Sequence, residues 1–292
     1  MPRRGSQRLL PRREGRVRAV DQQPQGAVPI AAGPIGELWR ERSLLATLVL
    51  RDLRARYVGS SVGLVWSLAG PLLQIAILTI VFSFVLDVRL ATPGDVPFPV
   101  VLAWGLFPWI GFQEAIARGT TALVDNGVMI KRMAFRPGVL VAQAAVAAAV
   151  QQVAALALLT LLMPVLGVPV RPAVALCVIP FALQLALMIG IGWILGVSHV
   201  YFRDTAQVVV AALQAWFYLT PIVYTLNTAP ETLQRLLLVN PLCGIVETFR
   251  AFALGGPVPW LALAWSATAA LLALAGGARA LARGRAEIAD LV

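Results

Sequence analysis

The sequence predicts an all-α integral membrane protein: six transmembrane helices, an N-terminal cytoplasmic interfacial helix, and external re-entrant half-helices between spans five and six. Three observations predict it. Hydrophobic residues make up 59% of the 292-residue chain and charged residues only 13%, against roughly a quarter charged in a soluble domain. The charge that remains is cleared from long tracts and concentrated between them, the pattern a bilayer imposes. The tracts are also continuous, without the period-two alternation of a membrane barrel.

Uncharged runs cover 57–86, 137–170, 172–198, 205–230 and 251–278, and a shorter one, 96–113, lies between Asp95 and Glu114. A helix needs about 20 apolar residues to cross about 30 Å of hydrocarbon. Five runs exceed that and the sixth is just long enough. With six spans, the segments 1–56, 114–136, 199–204 and 279–292 fall on one side and hold 20 of the 24 basic residues. Lys and Arg bias places that side, and with it both termini, in the cytoplasm. The net charge of +10 is therefore a topology signal rather than a nucleic-acid signal.

Residues 1–35 read as a disordered basic cytoplasmic tail, with Arg3, Arg4, Arg8, Arg12, Arg13, Arg16 and Arg18 among Pro and Gln. No apolar core follows these charges, so the tail is not a signal peptide. The segment 36–57 reads as an amphipathic interfacial helix. Leu38, Leu45, Val49 and Leu53 share one face, and Arg40, Ser43, Thr47, Arg51 and Arg54 the other. Arg42 and Arg56 intrude on the apolar side. Such a helix lies along the membrane surface, either anchoring the first span or moving as a gate.

The membrane domain is expected over 58–280. Span one carries Gly63, Trp66, Gly70 and Pro71; span two, about 98–116, carries Trp104, Phe107, Pro108, Trp109 and Phe112. Aromatic residues there serve as an interfacial belt or as a channel lining. The loop from Asp125 to Pro137 predicts a short helix, capped by Asp125 or Asn126 and stopped by Pro137. Met129, Ile130, Met133 and Phe135 are expected exposed amid charge, which marks a docking surface for protein or lipid. Spans three and four are placed at about 139–163 and 173–198, span five at about 206–225. Residues 226–250 hold two short helical pieces, about 231–239 and 241–253. Pro241 opens the second, and Glu247 and Arg250 lie one turn apart in it. They read as half-helices dipping into the outer leaflet, where irregular backbone is tolerated only against protein or water. Span six, about 258–278, ends in a cytoplasmic tail, 281–292.

The chemistry a carrier or enzyme would need is missing from the sequence. The interiors of all six predicted spans hold none of the charged residues that coupling to protons or sodium generally requires, with Glu114 and Glu247 at or near boundaries. The single lysine, Lys131, follows Ile130, which rules out a phosphate-binding GxxxxGK[ST] loop. With His199 as the one histidine, a zinc-protease motif cannot form, and nothing places it in a triad. Cys177 and Cys243 form no metal or disulfide motif. The chain is therefore expected to be driven by another one.

Several pieces together resemble the ABC-2-type permeases that export O-antigen, capsule or teichoic-acid polysaccharides. They are Arg51-Asp52-Leu53-Arg54-Ala55-Arg56-Tyr57 with Gly63-Leu64-Val65-Trp66 and Pro71-Leu72; Asn126 to Ile130-Lys131-Arg132, Phe135 and Pro137; Arg203-Asp204 leading to Phe217-Tyr218-Leu219-Thr220-Pro221-Ile222-Val223-Tyr224; and Asn240-Pro241-Leu242 with Arg250. The resemblance runs from about residue 40 onward. It implies a homodimer of six-span subunits in the bacterial inner membrane, docked on two copies of a cytoplasmic ABC ATPase that binds ATP and Mg and does the hydrolysis. It further implies that Asn126, Met129, Ile130, Lys131, Arg132, Met133 and Phe135 form a coupling helix, and that Leu38, Leu45, Val49, Arg51, Arg54 and Tyr57 belong to a gate helix. The external re-entrant pair would include Asn240, Pro241, Glu247 and Arg250. Arg136 stands between Phe135 and Pro137, where such permeases often have Pro directly after the Phe. A conduit for a lipid-linked sugar polymer would form between two subunits, since six helices leave little room for a pore. Rings that stack on sugars are supplied by Trp104, Phe107, Trp109, Trp216, Phe217, Tyr218 and Tyr224. A permease for a small drug or lipid and a non-transporting assembly protein are the alternatives.

Overall fold

The computed structural model describes residues 33–57, 63–85, 96–133, 136–225, 234 and 237–292, and the regular structure among them is all helical, without strands. The expected basic tail before residue 33, Phe135 and most of the expected half-helix 231–239 lie outside the described residues. For Tyr57, Arg132 and Met133 only the backbone is described.

The interfacial segment forms two helices, α1 (Pro34–Arg40) and α2 (Arg42–Tyr57), with a one-residue break at Glu41. Hydrogen bonds from Glu41 to Glu37 and from Leu45 to Glu41 carry the helical pattern across it, so the expected single helix is nearly kept. Of the expected apolar face Val49 is buried and Leu38, Leu45 and Leu53 are partly buried; Leu48, which the pattern did not put there, is buried as well, whereas Arg40, Arg51 and Arg54 are exposed. Arg42 escapes the apolar side by lying 4.9 Å over the exposed Trp39 ring.

The first expected span is α3 (Gly63–Thr79), continued by π-helical turns over Ile80–Val85, a shorter apolar helix. Four helices among the described residues are long and apolar enough to cross a membrane: α4 (Phe98–Asp125), α6 (Pro137–Leu162), the stretch Pro172–Tyr201 and Trp260–Arg285. Pro172–Tyr201 consists of a 3-10 segment followed by α7 (Val178–Tyr201). Between α4 and α6 sits α5 (Gly127–Met133). The fifth expected span is α8 (Thr205–Tyr218), only 14 residues, or about 21 Å. It stops because Pro221 lacks the N–H that would continue it, and 219–225 run on without helix. The second expected half-helix is α9 (Pro241–Leu254), with Asn240 as a true N-cap accepting from the Leu242 N–H at 3.0 Å. The last helix, α10 (Trp260–Leu291), takes in both span six and the expected tail 281–292 as 32 continuous residues.

The centre of the membrane core is α4. In its most apolar stretch 78% of residues are buried, against 28% for α7 and α10, so α4 is a hub and the others keep lipid-facing sides. Trp104, Trp109 and Phe112 of α4 pack with Phe249 of α9, all nearly inaccessible. A second core lies around Leu48, Leu123, Ile130, Val139, Trp193, Leu281 and Ile288, joining α2, α4, α5, α6, α7 and α10. Helix α10 packs most extensively on α7. Gly190 and Gly277 let the two backbones approach, since a Cβ on Gly190 would strike Ala273 and one on Gly277 would meet Trp193 Cβ at 3.0 Å.

Inside the bundle, Gln152 of α6 and Gln184 of α7 exchange two side-chain amide hydrogen bonds at 2.9 Å, and Gln184 also donates to the Pro108 carbonyl at 2.7 Å. Both are buried. An amide from another helix thus reaches the α4 backbone at the proline position, and each of the two glutamines has its polar atoms matched inside the bundle.

Candidate functional site

Three sites emerge from the residues that carried the sequence reading. The first is a clamp at the end of α8. Non-helical backbone leaves carbonyls that a membrane interior cannot hydrate. Arg250 of α9 supplies the donors. Its Nε donates to the Val101 carbonyl at 3.2 Å; Nη1 donates to Pro221 at 2.6 Å, Tyr224 at 3.1 Å and the Glu247 carboxylate at 3.1 Å; Nη2 donates to Ile222. The side chain is 6% exposed. Gly105 of α4 makes the room, because a Cβ there would lie 3.0 Å from the Arg250 Cζ and overlap its amino group. Asn240 completes the clamp from the other side. Its Nδ2 donates to Leu219 O and Thr220 Oγ1, each at 2.9 Å, and its Oδ1 accepts from Trp216 Nε1 at 2.9 Å. Pro221, Tyr224, Asn240 and Arg250, read as separate motif pieces, thus meet at one place.

Beside the clamp stands an aromatic wall. Trp109 lies 5.7 Å from Phe217 and 5.9 Å from Phe112; Phe112 lies 5.2 Å from Trp216, and Phe217 lies 5.2 Å from Tyr218. Edge-on and tilted rings at these separations add packing energy to apolar burial. This geometry corrects the list of conduit-facing candidates. Trp104, Phe107 and Trp109 are at most 6% exposed; they are core of one subunit, because α4 is the hub. Trp216, Phe217 and Tyr224 are partly buried, whereas Tyr218 is 73% exposed.

The second site ties the interfacial helix to the bundle. Asp52 and Arg56 of α2 face Glu114 and Arg118 of α4. Arg118 pairs with Asp52 at 2.7 Å and Arg56 with Glu114 at 2.5 Å, while Arg56–Asp52 and Arg118–Glu114 lie at 3.5 and 3.4 Å. Arg56 also donates to the Gln151 side chain of α6 at 2.9 Å. The four side chains are 21–31% exposed, so each pair is worth no more than about 1 kcal/mol. What they fix is the angle of α2. The pairing also explains why α4 runs past the expected end of span two near residue 116. Glu114 and Arg118 have partners on α2, so the helix need not end where the charge begins. A cleft of about 500 Å³ opens next to them, walled by Leu53, Pro71, Phe107, Ile110 and Leu158, with Arg56 and Glu114 at one end.

The third site is α5. Asn126 does not cap it with its side chain; its backbone carbonyl accepts from Met129 and Ile130, while its Nδ2 donates back to Ala122 at the end of α4 at 2.8 Å. Ile130, expected exposed, is 5% exposed and belongs to the second core. The outward face carries Val128, 66% exposed, with Lys131, and Met129 lies partly buried between the two faces. The i, i+3 pairing of Val128 and Lys131 was visible in the sequence, but which face turned inward was not.

The described residues form an all-helical chain with a buried polar clamp, a short helix between its long helices, and four helices long and apolar enough to cross a membrane. Residues 43–254 match the ABC-2 type transporter family, and the chain belongs to it. The chain is 30% identical over 219 residues to the O-antigen export system permease protein RfbA of Myxococcus xanthus, covering 74% of this chain and 82% of that one. It is 27% identical over 216 residues to RfbA of Klebsiella pneumoniae, covering 73% and 81%. It is 26% identical over 217 residues to the polysialic acid transport protein KpsM of Escherichia coli, covering 74% and 83%.

The charge lock and the Gln152–Gln184 pair were absent from the sequence reading. Arg56, noted as misplaced on an apolar face, was the one signal that could have pointed to the lock.

Proposed function

We propose that this chain is the permease subunit of an ATP-driven exporter that moves a lipid-linked polysaccharide across the bacterial inner membrane. The observation that carries the reading is similarity to polysaccharide-export permeases over about three quarters of the chain. The subunit spans the bilayer six times with both termini in the cytoplasm. Alongside the four long helices, α3 with its π-helical turns makes one span, and α8 with 219–225 makes the other. The lysine and arginine bias supports that orientation.

Two copies pair to form the conduit. Outward apolar residues on α3 (Leu72, Leu73, Ile77) and on α8 (Val208, Val210, Tyr218) support the pairing. Tyr218 is the residue placed to stack on passing sugar rings. Two copies of a cytoplasmic ATPase bind ATP and Mg and dock on α5 through Val128, Met129 and Lys131, together with Arg132, Met133 and Phe135. Helices α1 and α2 form the cytoplasmic gate, held by the four-charge lock. Deleting the gene in its host is expected to strip polymer from the cell surface and to accumulate lipid-linked polymer inside, with restoration by the wild-type chain. Surface polymer at wild-type levels in the deletion strain refutes the reading.

A further inference from the structure

Helix α10 is longer than a bilayer requires. Its 32 residues extend about 48 Å, against about 30 Å of hydrocarbon. The excess is not a free tail. Leu281 and Ile288 are fully buried in the second core. Gly284 lies within 3.3 Å of Val197 Cγ1, measured from the position of an added Cβ. Polar contacts hold the same stretch on two sides: Tyr201 Oη donates to Glu287 Oε2 at 2.6 Å, and Arg285 pairs with Glu37 of α1 at 2.5 Å.

The far end reaches α5. Val292 packs on Gly127, the first residue of α5, so closely that a Cβ on Gly127 would overlap the Val292 side chain. Ile130, on the inward face of α5, sits in the same cluster as Ile288. A seven-residue helix cannot hold its own shape in water, because nucleation is unfavourable and isolated helices this short are marginal. Its helicity and the direction of its outer face must come from the floor beneath it. On one side that floor is the end of α10.

We infer that residues 281–292 are a positioning element for α5, orienting Val128 and Lys131 for an ATPase partner. This rests on the reading of α5 as the ATPase-docking segment. The element gives α10 two duties along one rigid rod: it spans the membrane against α7 and carries the docking helix at its end. A displacement of α5 by the ATPase is therefore passed straight to a membrane-spanning helix, with no flexible link between.

The test uses the full chain co-expressed with the ABC ATPase of its host that co-purifies with the wild-type chain, and measures ATPase association in purified membranes together with the amount of chain in the membrane. Ile288→Asp places a carboxylate in the apolar floor. If α5 then holds its docking orientation about a tenth of the time, apparent affinity for the ATPase falls about tenfold. Ile288→Leu is expected to restore it. Val128→Asp, on the outer face, is expected to abolish association by itself. Association unaltered by Ile288→Asp but lost with Val128→Asp overturns the inference and leaves the docking reading standing. Association unaltered by both overturns the docking reading and the inference with it. Should Ile288→Asp lower the membrane content, a chain ended after Glu287 removes Ile288 and Val292 without burying a charge. That chain must lose association to the same extent, and wild-type association in it overturns the proposal.

Discussion

Replacing Arg250 by methionine removes the donors of the α8 clamp while roughly keeping the volume of the side chain. The magnitude follows from what is left behind. The carbonyls of Pro221, Ile222 and Tyr224 lie in non-helical backbone and lose the guanidinium, and the Glu247 carboxylate loses its ion pair. Breaking a buried pair by removing one partner costs about 3–5 kcal/mol. Hydrogen bonds inside membranes average only about 0.6 kcal/mol, because the unfolded chain finds other partners there, so the carbonyls add modestly. The expected loss is about 3–5 kcal/mol, which is a factor of roughly 10² to 10⁴ in the folded-to-unfolded ratio. Reversible unfolding of the purified chain in detergent or nanodiscs measures it. Arg250→Lys, which keeps the charge but loses the planar fork, should fall between the two. Adding Glu247→Gln to Arg250→Met should recover part of the loss, since the carboxylate that faced Arg250 is then neutral. An Arg250→Met variant within about 1 kcal/mol of wild type would refute the clamp.

Three other outcomes follow from the geometry. Glu114→Gln or Arg118→Ala should broaden the distance between spin labels at Arg51 of α2 and Val150 of α6 with little change in unfolding free energy, since pairs this exposed are worth about 0.2–1 kcal/mol; an unchanged distribution argues against the lock. Gln184→Leu should destabilise by about 1–2 kcal/mol by orphaning the Gln152 amide, whereas Gln152→Leu with Gln184→Leu should recover most of it in the same unfolding assay. Trp109→Ala should cost about 3–5 kcal/mol as a core truncation, whereas Tyr218→Ala should leave stability within about 0.5 kcal/mol yet lower the polymer exported to the cell surface. Normal export by Tyr218→Ala at wild-type expression removes Tyr218 from the conduit.

What could be read from sequence was whatever depends on local composition. The long apolar helices, the inward face of α2 and the start of α9 at Asn240-Pro241 all follow from charge clearance, helical periodicity and a capping residue. What could not be read depends on distant partners. Asp52 and Arg118 are 66 positions apart, Gln152 and Gln184 32 apart, and Arg250 and Val101 149 apart. Each residue alone looked bland: a charge at a boundary, an amide in an apolar tract, an arginine one turn from a glutamate. The burial of Trp104 and Trp109 followed the same logic. Aromatic residues near a span's end fit a belt, a pore or a core equally well until α4 is known to be the central helix. Pro221 was visible too, yet span five was drawn through it to about residue 225, whereas the helix ends at Tyr218.

That shortness bears on the lipid as well as on the protein. Helix α8 offers about 21 Å of apolar rod beside α4, whose 28 residues reach about 42 Å. Since α4 is buried, any lipid on that side meets the length of α8, and a bilayer set against so short a rod thins or tilts its chains at a cost of fractions of a kcal/mol per Å. The clamp at Arg250 and Asn240 lies where the helix gives out, so polar backbone begins well before the apolar slab would otherwise end. The break between apolar rod and clamped backbone therefore sets the length of oily surface this flank can offer to lipid.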